Sequence, residues 1–132
     1  HLIRHPARVI ASYGAKRAAP SLEDIGFPQQ LALIERLGGV VIDSFDIRKD
    51  PAKALGKLCQ ASGIPFDKAM LRWPAGPKPF DGVWAPYWYD AVHRSTGFAG
   101  PHGPLPDLTG DAQALCDAAL PYYRAMADRA IT

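Results

Sequence analysis

The chain has 132 residues, 48% of them hydrophobic, which is enough to bury one ordinary core, so a single domain is expected. A formal net charge of +2 is too small to imply a nucleic-acid footprint, although it leaves room for a local anion pocket. No apolar run approaches the roughly 20 residues of a membrane span, and no charged-then-apolar opening reads as a secretory signal.

The opening stretch, His1-Leu2-Ile3-Arg4-His5-Pro6-Ala7-Arg8-Val9-Ile10-Ala11-Ser12-Tyr13, organises the rest. An extended apolar run ends in Arg4, and Pro6 suits the first turn of a helix, having no amide hydrogen to lose there and a φ already near the helical value. Strand, tight turn and helix is the unit with which open α/β sheets build ligand sites. The crevice lies beyond the carboxyl ends of the strands, beside the free amides of helix N-termini. Arg4 stands at that strand end, and Ser12 comes about two helical turns later. A guanidinium fork and a hydroxyl so placed can grip a phosphate. The bland alternative is that Arg4 closes a strand at the surface and Ser12 lets helices pack.

A helix is expected over residues 7–19, with Val9, Ile10 and Tyr13 on its apolar face, Lys16 and Arg17 near its end, and Pro20 closing it. Ser21, with Asp24 three residues on, reads as a loose capping box. The next firm helix is expected over 28–37, with Leu31, Ile34 and Leu37 at helical spacing and Gly38-Gly39 ending it. Val40-Val41-Ile42-Asp43-Ser44-Phe45 has the β-branched, apolar character of a strand buried on both faces. Two helices between two such strands form a crossover, which favours parallel pairing. Asp50 then caps a helix that Pro51 begins, Leu55 and Leu58 point inward, and Gly63 ends it. A short helix is expected around residues 67–71.

From Trp73 the character changes. Residues 73–82 form a proline- and glycine-rich loop, and the following stretch holds Trp84, Trp88 and Tyr89. These rings either wall a ligand pocket or anchor a long loop. Pro86 opens a helix expected to reach Arg94, and Arg94-Ser95-Thr96-Gly97 is a turn suited to an anion contact. A last amphipathic helix is expected over 107–130, kinked at Pro121. The four histidines do not form a metal set, since His1 and His5 lie on a strand and turn and do not share a helix face. Cys59 and Cys116 have no metal or redox spacing and read as buried free thiols of a cytoplasmic protein. No catalytic residue is identifiable from residue order alone.

Leu2-Ile3-Arg4-x-Pro6 followed by Ser12 resembles the 3′-phosphate-binding motif of sulfotransferases, enzymes that take their sulfuryl group from 3′-phosphoadenylyl sulfate (PAPS). Their usual Asp between the Arg and the Pro is His5 here. Asp46-Ile47-Arg48-Lys49-Asp50-Pro51, then Leu55, Leu58 and Gly63-Ile64-Pro65-Phe66-Asp67, is similar to a second pattern of that family. The two together cover about the first 70 residues. The resemblance implies an α/β fold, a parallel sheet flanked by helices and related to the P-loop NTPases. It also implies a nucleotide donor, PAPS, and a small-molecule acceptor as partners, with Arg4 and Ser12 on the 3′-phosphate. Arg94 is a weaker candidate for a second contact, because the family's late basic loop has an Arg-Lys-Gly character that is missing here.

Because the chain opens inside an apparent core strand, it is expected to be the helix-rich C-terminal part of such a domain, inactive without the phosphate-loop half that would precede it. Two other classes remain: a P-loop-type nucleotide phosphotransferase, or a non-catalytic relative that kept the fold as a binding module.

Overall fold

The structure, a computed structural model, describes residues 1–15 and 19–131. Two short strands, β1 (Leu2–Ile3) and β2 (Ile42–Asp43), pair in parallel, with Leu2 opposite Ile42 and Ile3 opposite Asp43. Between them, among the described residues, run three helices: α1 (Pro6–Gly14), α2 (Leu22–Ile25) and α3 (Phe27–Leu37). The expected parallel crossover is therefore present, and the fold is α/β with a small sheet. The expected continuation of α1 through Lys16 and Arg17 lies outside the described residues.

Local chemistry explains most boundaries. Pro6 opens α1, and His5 caps it by accepting from the amide of Ala7 at 3.2 Å. Ser21 and Asp24 complete a reciprocal capping box on α2. Gly26 serves at once as the C-cap of α2 and the N-cap of α3, at φ 70°, a left-handed value that suits glycine.

The second strand is shorter than its β-branched run suggests. The carboxylate of Asp43 accepts from the amide of Phe45 at 2.8 Å and turns the chain into α4 (Ser44–Lys49). A strong N-cap thus outcompetes strand propensity at Ser44 and Phe45. Strand β1 also differs from an inner strand: Ile3 is buried and Leu2 is 59% exposed, because only the Ile3 side is covered by core residues.

Asp50 caps α5 (Pro51–Ser62), and Gly63 ends it, as expected. Its fully buried residues are Ala54 and Cys59, with Leu55 and Leu58 only half-buried. A 3₁₀ turn covers Lys68–Leu71. The single helix expected from Pro86 to Arg94 is divided at Tyr89 into α6 (Ala85–Trp88) and α7 (Asp90–Arg94). The last helix, α8 (Gly110–Ala127), runs through Pro121. It stops short of Ala130, which forms a parallel bridge with Val41 at the sheet.

Helix α8 packs on α3, α1 and β1. The core comprises Ile3, Phe27, Ile34, Val41, Ala119 and Met126, with a second cluster of Ala7, Ile10 and Cys116. Cys59 and Cys116 are free and buried. Trp73 anchors the loop region by donating its indole N–H to Ser95 at 2.9 Å and meeting Phe98 edge-on. Trp84, which had been a candidate for that task, is 66% exposed. No helix among the described residues is long and apolar enough to cross a membrane.

Candidate functional site

The carboxyl ends of β1 and β2 open on the same place. Arg4 leaves β1 there and Asp43 ends β2 there. Arg4 is half-buried, and its Nε, an N–H donor, is buried without an acceptor. Burial, and then the charges of Arg8 and Arg48, pull its pKa down. Three guanidinium groups from different elements thus gather at one strand end: Arg4 after β1, Arg8 on α1 and Arg48 on α4.

Loop 99–106 lies against this cluster. Arg8 donates to the carbonyl of Gly103, and Arg48 donates from Nε to the carbonyl of Gly100 at 2.9 Å. A second Arg48 nitrogen lies 2.8 Å from Nδ1 of His102, whose ring stacks on Phe45 with centroids 6.5 Å apart. Burial, then Arg48, Arg8 and Arg4, hold His102 below the usual imidazole range against a smaller opposing effect of Asp43. His5, Arg8, Asp43, His102 and Tyr123 are among the walls of a cavity of about 360 Å³.

Asp43, 7% exposed, is the carboxylate at this cavity, and both of its oxygens accept hydrogen bonds. Oδ1 takes the Phe45 amide, with the Ser44 hydroxyl at 3.4 Å, and Oδ2 takes the Tyr123 hydroxyl at 2.6 Å. His5 meets the Tyr123 ring edge-on at 5.2 Å. The imidazole of His5 thus makes a local hydrogen bond to the first turn of α1. The nearby carboxylate comes from Asp43, in the neighbouring strand.

The structure separates the three candidate anion contacts into two places. Ser12 and Arg94 line one cavity of about 340 Å³ together with Trp88, Asp90 and Ala91. Arg4 is not among its walls. Helix α1 nevertheless connects the two places, because Arg8 and Ser12 are four residues apart and so share a helix face. Further along, His93 donates to Asp81 at 2.8 Å, and the Lys78 amide reaches the same carboxylate oxygen at 2.7 Å. With the carbonyl of His93 accepting from Gly76, this pair fastens loop 73–82 to α7. No group of three or more His, Cys, Asp or Glu among the described residues could hold a metal ion.

A family model described as a sulfotransferase domain matches residues 1–130. The chain belongs to the sulfotransferase-domain family. Within the curated proteins, this sulfotransferase domain is 41% identical over 105 residues to branched-chain-amino-acid aminotransferase-like protein 1 of Arabidopsis thaliana. It is 37% identical over 105 residues to branched-chain-amino-acid aminotransferase-like protein 2 of the same plant. Each match takes in 76% of the chain but 19% of the relative, so the chain spans about a fifth of the length of these proteins. No solved structure matches it significantly.

Sequence reading of the sulfotransferase domain singled out Arg4, Ser12 and Arg94 but passed over Arg8, Arg48 and His102 as members of a site. One signal was available. Arg8 lies four residues before Ser12, one turn away on the same helix face. Arg48 and His102 carried none, being distant from the opening motif and from each other in sequence.

Proposed function

We propose that the chain carries the donor-binding part of a sulfotransferase that uses PAPS and passes the sulfuryl group to a hydroxyl or amine of a small-molecule acceptor. In this reading the domain is a P-loop-related parallel α/β fold. The observation that supports it is Arg4: a buried Nε–H without an acceptor, at a strand-to-helix junction, beside Arg8 and Arg48. A 3′-phosphate dianion fits that donor set, because it brings several acceptor oxygens and two negative charges to a place where positive charge gathers. Arg4 is the principal contact. Ser12 and Arg94, which line a separate cavity, are the further contacts of this reading with the nucleotide donor.

When bound, PAPS supplies the activated sulfuryl group. The residues of this chain bind and orient it, and positioning with charge stabilisation dominates such group transfers, as in phosphoryl transfer. The test is a titration of the full chain with 3′-phosphoadenosine 5′-phosphate against 5′-AMP. The first should bind more tightly, because only it carries the 3′-phosphate. A hydrogen bond to a charged group contributes about 1.5–3 kcal/mol, so Arg4→Ala should weaken its binding by roughly ten- to a hundredfold while sparing 5′-AMP. A wild-type chain indifferent to the 3′-phosphate would overturn this reading.

A further inference from the structure

One titratable group at the cavity has no task in the reading above: His102. Arg48 holds its Nδ1 at 2.8 Å, and a guanidinium is a donor only, so Nδ1 must present its lone pair. The single proton of this neutral imidazole therefore sits on Nε2. That nitrogen is buried and has no hydrogen-bond partner. The ring is also fixed in place: Phe45 stacks on it, and the carbonyls of Gly100 and Gly103 on either side of it accept from Arg48 and Arg8.

Buried donors are nearly always satisfied in folded proteins. Here two side-chain donors in one cluster are not, Nε2 of His102 and Nε of Arg4. Both are N–H groups, and Arg8 and Arg48 add positive charge beside them. Neither donor is bonded to the adjacent carboxylate, whose oxygens take Phe45, Ser44 and Tyr123. Such a set selects a ligand with several acceptor oxygens and more than one negative charge.

We infer that His102 is a specificity-determining contact for the 3′-phosphate dianion of the nucleotide donor, donating from Nε2 and completing with Arg4 an anion grip flanked by Arg8 and Arg48. This inference rests on the donor-binding reading above. His102 makes this contact as the neutral imidazole: burial, then Arg48 from α4, Arg8 from α1 and Arg4 after β1, disfavour its charged form against a smaller opposing effect of Asp43 from β2, and Nδ1 stays the acceptor of Arg48.

The experiment uses the full chain, with folding of each variant checked by circular dichroism, and titrates 3′-phosphoadenosine 5′-phosphate and 5′-AMP calorimetrically. His102→Ala should weaken binding of the first by about tenfold or more and leave the second unchanged. His102→Gln should keep most of the affinity at pH 8, because its amide N–H replaces the Nε2 donor. His102→Phe, which keeps a ring against Phe45 but has no donor, should lose as much as His102→Ala. A His102→Gln variant as weak as His102→Phe, or a His102→Ala variant that binds like the wild type, would overturn the inference. If the 3′-phosphate preference still depends on Arg4 in that case, the donor-binding reading survives alone. If the wild type has no such preference, both fall.

Discussion

Tyr123 on α8 donates its hydroxyl to Asp43 at the end of β2 across 2.6 Å, joining residues 80 positions apart. The bond ties the longest helix to the strand end where the cationic cluster gathers. It also engages the second oxygen of the Asp43 carboxylate, the first taking the Phe45 amide.

Tyr123→Phe removes one partner and leaves a buried carboxylate oxygen short of a donor, which should lower stability by about 1–3 kcal/mol in urea unfolding. Burial and Asp43 also push the Tyr123 hydroxyl well above the usual phenol range. A raised folded value means this stabilisation is complete below pH 10 and is lost as pH climbs above it. Spectrophotometric titration should show one of the five tyrosines ionising far later than the rest, and Tyr123→Phe should abolish that late step.

His5 gives the opposite dependence. Burial, then Arg8, lower its pKa from 6.5, with Asp43 opposing and Arg124 adding to the effect. A depressed folded value contributes stability that is present above pH 6.5 and lost as pH falls below it. Protonation would also remove the Nδ1 lone pair that caps α1. His5→Asp keeps a side-chain cap without a group that titrates near neutrality. Its melting temperature should therefore decline less than that of the wild type between pH 7 and pH 5. An unchanged slope would show that the His5 cap does not govern this acid lability.

Met126 lies in the core with Ile3, Phe27, Ile34, Val41 and Ala119 and is fully buried. Met126→Ala should cost about 2–5 kcal/mol through lost burial and the cavity left behind. Leu37, 68% exposed, provides the contrast. Leu37→Ala should shift the urea midpoint little, within about 0.5 kcal/mol.

Ser12 and Arg94 share a cavity, so their effects on nucleotide binding should be coupled. In a double-mutant cycle with Ser12→Ala and Arg94→Ala, 3′-phosphoadenosine 5′-phosphate affinity should depart from additivity by about 0.5–3 kcal/mol. Additive losses would mean that the two side chains do not meet on one ligand.

What the amino-acid sequence determined by itself is local. Pro6 and Pro51 begin helices, Ser21 and Asp50 cap them, and Gly63 ends one, because each acts on backbone groups within a few residues of itself. The parallel pairing of β1 with β2 was also legible, since the intervening helices require a crossover. Arg4 could be picked out because the strand, the proline and the helix that place it are its immediate neighbours.

Tertiary structure decided the rest. The short β2 followed from competition between strand propensity and the Asp43 cap, a contest whose winner depends on Tyr123 and the buried setting around that carboxylate. The division of α6 from α7 at Tyr89 lies in a segment where Trp84 and Val92 are largely exposed, so little burial rewards one continuous helix. Arg48 and His102 meet across 54 positions, and Ser12 and Arg94, even farther apart along the chain, line one cavity. Those encounters depend on how α1, α4, α8 and loop 99–106 pack together, because a side chain's unpaired donors acquire meaning only when burial removes the water that would otherwise satisfy them.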